Sequence, residues 1–178
     1  SLGGKVAMHL AVNFFRRVES LVVVDIAPKD YPPYHLDDFN AMNQLDLDSL
    51  ANRKQADEFL TGLVPDFGQR QFLLTNLKRE KDGSFHWGIN LKVLTESLDV
   101  MRRNSLEAED RFTGPTLFVL GEHSRFVRDD DHSKIREHFP RAVIKMIPES
   151  GHNPHIDQPK ALLAALEDFA KVDWGCEI

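Results

Sequence analysis

The chain has 178 residues, 42% of them hydrophobic, with a formal net charge of −6. That is enough apolar material for a sizeable core and excludes a disordered chain. The acidic balance argues against nucleic acid as a partner, because no excess of cations can neutralise phosphates. No apolar run approaches the roughly 18 residues that a membrane span needs, and no signal peptide is visible. The single cysteine, Cys176, has no internal disulfide partner, which fits a reducing compartment.

The first eight residues read Ser-Leu-Gly-Gly-Lys-Val-Ala-Met, a serine and two glycines opening a helix. Gly3 and Gly4 lack a Cβ and would let the helix start pack close to a strand, as in the downstream half of a strand–nucleophile–helix elbow. Small residues in that place also serve as ordinary turn residues. Apolar residues at helical spacing predict a helix over 6–18, covered on most sides. Residues 21–25, Leu-Val-Val-Val-Asp, have the continuous β-branched pattern of a central parallel strand, which Pro28 ends. Asp25 then stands at the carboxyl end of a strand, where open α/β sheets place their chemistry. Capping the following turn is its other role.

Between residues 31 and 113 the pattern turns helical, with helices expected over 36–47, 49–63, 67–77 and 91–102. Ser49 is the expected N-cap of the second. Residues 81–84, Lys-Asp-Gly-Ser, form a turn beside Phe85 and Trp87, and no strong strand core is expected there. The whole stretch reads as a helical insertion between two sheet strands. Sheet pattern returns with a strand over 116–120, ended by Gly121. A helix over 129–139 follows, its three leading acids facing the positive end of the dipole and needing no metal. A strand over 142–147, a loop over 149–155 and a closing helix over 160–172 complete the order. This is half of a doubly wound sheet. Three strands alone would leave one edge unpaired and two apolar faces poorly covered, so further strands are expected.

Ser1, Asp25 and His152 come in the chain order serine, acid, histidine, each beside an expected end of a sheet element. A serine hydroxyl needs an imidazole to take its proton, and the imidazole needs an acid to fix its tautomer. Gly151 before His152 permits a tight loop that can reach back over the strand ends. The pair His152 and His155 lacks zincin spacing and a third ligand, so neither metal nor cofactor is expected.

On residues 1–8, 24–28, 72–77, Trp87, Asn90-Leu91 and Gly151-His152 with His155, the chain resembles the α/β-hydrolase superfamily. It is most similar there to YbfF-type esterases and their mitochondrial homologues. The resemblance implies an α/β fold in which residues 1–30 and 114–178 are the C-terminal part of a parallel sheet and 31–113 a helical cap insertion. It makes Ser1 the nucleophile, Asp25 the acid, His152 the base and the Leu2 N–H an oxyanion donor. Most of the superfamily carries the acid after the later strand, where this chain has Ser124; Glu122 is the runner-up acid. Asp157 is expected to cap or position the last helix. Phe67, Phe72, Trp87 and His155 are candidates for an acyl pocket, with packing or support as their plainer role.

The expected activity is hydrolysis of carboxylic esters, with thioesters as a second class, through an acyl-serine. The partner is thus a small-molecule ester, the compartment intracellular, cytoplasmic or mitochondrial. The chain starting at the elbow serine implies an upstream segment of the same fold that supplies the missing strands and second oxyanion donor. Two alternatives remain open: an inactive hydrolase-like fragment or interaction protein, and an N-terminal-nucleophile hydrolase, whose fold is a sandwich of antiparallel sheets.

Overall fold

A computed structural model describes residues 1–172, so Cys176 lies outside the described residues. They form two compact units, one of Ser1–Asp30 with the described residues from Asn104 onward and the other of Tyr31–Arg103.

In the first unit, helix α1 (Leu2–Asn13) leads through a short 3-10 turn (Phe15–Arg17) to strand β1 (Leu21–Val24). Strand β4 (Thr116–Gly121), helix α6 (Asp131–His138), strand β5 (Ala142–Ile147), and helices α7 (Pro154–Asp157) and α8 (Pro159–Lys171) follow the insertion. The strands form one parallel sheet in the order β1-β4-β5, with Leu21 opposite Thr116 and Gly121 opposite Ile147. β4 is paired on both sides, and every residue of it is buried. Leu117 and Val119 pack with Ile147 and Ala165 against α8, while Phe118, wholly buried, meets Phe139 at 5.4 Å. Burial on both faces explains its unbroken apolar run. Each such side chain contributes about 1.5–3 kcal/mol. The parallel pairing does not match the antiparallel sandwich that an N-terminal-nucleophile hydrolase requires.

Helix α1 is shorter than its apolar pattern suggests and covered on one face only. Met8 and Ala11 are buried, whereas Val6, Leu10, Phe14 and Phe15 are exposed. A Cβ at Gly4 would lie 2.6 Å from Ile26 Cγ2, so glycine is needed there for close approach; one at Gly3 would meet nothing within 4 Å among the described residues.

The second unit holds α2 (Leu36–Gln44), α3 (Arg53–Thr61), α4 (Phe67–Leu74) and α5 (Leu91–Arg102). It also holds an antiparallel hairpin, β2 (Leu77–Arg79) with β3 (Phe85–Trp87). The hairpin corrects the wholly helical expectation: Gly83, at φ 95°, lets the chain reverse, and Leu77 and Phe85 give the strands an apolar side in the core. α3 starts at Asn52, whose side chain accepts the Gln55 N–H, and not at Ser49, whose hydroxyl donates to the Asp46 carbonyl. Buried Arg70 donates to Asp57 at 2.6 Å and to the Val64 carbonyl at 2.9 Å.

The second unit ends at Arg103. Residues 104–113 belong to the first unit because Leu106 and Phe112 are buried and the Phe112 N–H donates to the His138 carbonyl. Its two ends are adjacent: Tyr31 N–H donates to Arg102 O at 2.8 Å, and Asn104 N–H to Asp30 Oδ1 at 2.6 Å. An insertion so closed need not disturb the strand register on either side of it. Among the described residues no helix is long and apolar enough to cross a membrane.

Candidate active site

The carboxyl ends of the three parallel strands meet at Asp25. Its N–H continues the ladder to Val119 O at 2.8 Å, and a φ of 50° then turns the chain out of the sheet. That conformation costs an L-residue roughly 1 kcal/mol, least for Asn and Asp. The side chain is fully buried, so its carboxylate must find donors. Oδ1 accepts the Gly121 N–H at 3.0 Å, and Oδ2 accepts both the Ser124 hydroxyl and His152 Nδ1–H, the latter at 2.7 Å.

Local sequence explains how residues so distant in the chain are brought together. A Cβ on Gly121 would lie 1.9 Å from the Gly151 carbonyl oxygen, so only glycine lets the end of β4 meet the loop after β5. The two loops are then joined by Glu122 N–H to Ile147 O at 3.1 Å and His123 N–H to Ser150 O at 2.8 Å. Asp157 accepts the Gly151 N–H at 2.8 Å. It therefore secures the loop before His152, and Gln158, not Asp157, is the N-cap residue of α8.

With Nδ1–H given to Asp25, the neutral imidazole of His152 carries its lone pair on Nε2. The side chain is 26% exposed, enough for Nε2 to meet a reactant. Ser1 is exposed at the N-cap of α1, where its side chain makes no capping hydrogen bond. Its backbone nitrogen lies 3.5 Å from the carbonyl of Val24, next to Asp25. Among the described residues no hydrogen bond joins Ser1 to His152. The first intrahelical bond is Gly4 N–H to Ser1 O, which leaves the Leu2 N–H at the positive end of the helix, outside its ladder.

Glu122, the other acid considered, is exposed and accepts the Glu149 N–H at 2.9 Å. With His123 and Glu149 it offers donor atoms all within 4.8 Å of one another, every residue exposed. His152 and His155 are not in that group. Phe67 and Phe72 are exposed at 65% and 69%. Trp87 is half-buried, with its indole N–H donating to Met42 O at 3.3 Å, and His155 is exposed on α7. A cavity of about 190 Å³ lies elsewhere, lined by Leu117, Val143, Lys145, Ala165, Asp168, Phe169 and Val172.

Two contributors had no role in the sequence reading. Ser124 marked only the usual place of the acid, and Phe126 carried no signal beyond its proximity to it. A hydroxyl standing where an acid is usual was the one available hint that Ser124 supports an acid held elsewhere.

Residues 1–166 match the family described as Alpha/beta hydrolase family. The sn-1-specific diacylglycerol lipase ABHD11 of Mus musculus is 41% identical over 175 residues, which cover 95% of this chain and 56% of that protein. Esterase YbfF of Escherichia coli strain K12 is 31% identical over 171 residues, 95% of this chain and 64% of that protein. The solved structure of a marine microorganism esterase superposes with a TM-score of 0.90 at 30% identity, covering 95% of this chain and 67% of that one. The chain thus spans a little over half the length of the mouse relative.

Proposed function

The chain belongs to the α/β-hydrolase family, and from that premise we propose that it carries the nucleophile, acid and base of a serine esterase. The observation that carries this reading is the 2.7 Å hydrogen bond from His152 Nδ1 to a buried carboxylate at the strand ends. Similarity to enzymes named as esterases and as a diacylglycerol lipase supports it.

In this mechanism His152 Nε2 takes the Ser1 hydroxyl proton as Oγ attacks the ester carbonyl. Asp25 holds the imidazole in the Nδ1–H tautomer and stabilises the imidazolium. The Leu2 N–H donates to the tetrahedral oxyanion. His152 then gives its proton to the leaving alkoxide, which departs as an alcohol. Water, deprotonated by the same nitrogen, next attacks the acyl-Ser1 ester, releasing carboxylic acid and restoring the serine. Within the family frame, Ser1–Asp30 and Asn104–Ile178 correspond to the nucleophile-to-base part of the sheet, and Tyr31–Arg103 to a cap insertion. The second oxyanion donor is not assigned to a residue of this chain. Substrates are carboxylic esters, then thioesters, in an intracellular compartment. A diacylglycerol is the first ester to assay, given the name of the mouse relative.

The test is labelling of the whole protein with a fluorophosphonate, followed by peptide mass analysis. The expected adduct sits on the peptide containing Ser1 and is lost in Ser1→Ala. An adduct that survives Ser1→Ala, or none in the native protein, overturns the assignment.

A further inference from the structure

The phenyl ring of Phe126 lies face to face with the imidazole of His152, centroids 3.7 Å apart and planes 16° from parallel. A single hydrogen bond from Nδ1 fixes the distance between base and acid but leaves the ring free to pivot about that bond. The direction of Nε2 would then be undefined, and proton transfer depends on it. A flat apolar surface against the ring face removes that freedom.

The phenyl ring is mounted firmly enough to serve. The Phe126 N–H donates to Ser124 Oγ at 3.1 Å, and the same hydroxyl donates to Asp25 Oδ2. Beyond it, Val127 is buried, and Asp131 accepts the Arg128 N–H at 3.0 Å while pairing with Lys29. One loop, residues 121–131, therefore holds the carboxylate through Gly121 and Ser124 and contacts the imidazole through Phe126. Acid and base are positioned by one segment anchored at both ends.

We propose that Phe126 is a positioning residue that fixes the ring plane of His152, and with it the direction of Nε2, by stacking. The proposal rests on the catalytic reading of His152, but the stack has its own readout. In an NMR spectrum of the whole protein the imidazole C–H protons of His152, assigned by comparison with His152→Gln, are displaced upfield by the phenyl ring current. Phe126→Leu removes that displacement while Phe126→Tyr keeps it. On an ester substrate Phe126→Leu lowers kcat about ten- to a hundred-fold with KM little changed, the scale of a misplaced reacting group. Phe126→Tyr restores kcat and also serves if the leucine variant fails to fold. Imidazole shifts that are the same in the native protein and Phe126→Leu overturn the stack. So does a native protein whose His152 protons show no upfield displacement. A displacement lost with kcat unchanged overturns the positioning role. A native protein with the displacement but no ester turnover overturns the catalytic reading, and the positioning role falls with it while the stack stands.

Discussion

The two units hold their buried polar groups in contrasting ways. In the sheet unit Asp25 bonds to Gly121, Ser124 and His152, which lie 96, 99 and 127 residues away in the chain. In the insertion, buried Arg70 reaches Asp57 and Val64, only 13 and 6 residues away, and buried Asp38 accepts from Gln69, 31 residues away. The first network exists only once the strands have paired, and the second forms largely within neighbouring helices. Long-range polar closure is slow to assemble and costly in loop entropy. Such a network around a carboxylate at the strand ends fits the proposed role of Asp25 as the acid.

The largest effect should follow from breaking the long-range network at its centre. Asp25→Asn is expected to lower kcat about 10⁴-fold by favouring the wrong imidazole tautomer, with the protein still folded. Ester kinetics with circular dichroism on the same sample checks this. The short-range counterpart, Asp57→Asn, should leave kcat near native, because Asp57 bonds only within the insertion. Equal losses of kcat in the two variants would erase the distinction between the units.

Next in size is the close approach that lets the loops meet. Gly121→Ala places a Cβ 1.9 Å from a backbone oxygen that cannot rotate away, so the two loops must separate. The expected cost is about 3 kcal/mol, the upper range for overpacking, together with lost turnover as Gly121 N–H shifts from Asp25. Gly3→Ala, with open space around the new methyl, should be neutral or slightly stabilising. Urea denaturation of both variants measures the contrast. A Gly121→Ala protein of native stability would show the loops to be independently held.

Smaller again is the insertion's own network. Arg70→Met retains the apolar stem but removes donors from Asp57, Val64 O and Pro65 O. Asp57 keeps its bond from Gln71 Nε2, so the cost falls mainly on the two carbonyls and should be about 2 kcal/mol, with a lower Tm and kcat on a small ester unchanged. A large fall in kcat would mean that the interior of this unit shapes the reaction.

The same contrast explains what the sequence revealed. Strand β4 was legible because burial on both faces leaves a continuous apolar run, whereas β1 and β5, less buried, were legible from their valines and isoleucines. The placement of Asp25 at a strand end was legible from the apolar run before it, and the loop position of His152 from the glycine before it. The hairpin at 77–87 was not, since strands of three residues have too little length for alternation to register, and only Gly83 signalled reversal. The exposure of Val6, Leu10, Phe14 and Phe15 was not legible either, because an apolar helix face states what it avoids, not what covers it. Ser124 and Phe126 were invisible for a different reason. Their roles depend on the distance between two loops, and that distance is set by Gly121 lying against the backbone of Gly151, 30 residues on.

The smallest expected effect bears on the choice of acid. Glu122 follows the strand after which many hydrolases of this type keep theirs, yet its carboxylate is exposed and accepts the Glu149 N–H. Glu149 sits at φ 53°, so that bond helps hold a turned backbone three residues before His152. A glutamine keeps a carbonyl oxygen of the same reach. Glu122→Gln should therefore preserve the turn, change stability by less than about 0.5 kcal/mol and leave kcat/KM within a few-fold of native. Were Glu122 the acid, the amide would cost about as much as Asp25→Asn. Measuring both variants on one short-chain ester separates the assignments by several orders of magnitude. A collapse in Glu122→Gln with near-native turnover in Asp25→Asn would move the acid to Glu122, and loss in neither would remove the triad itself.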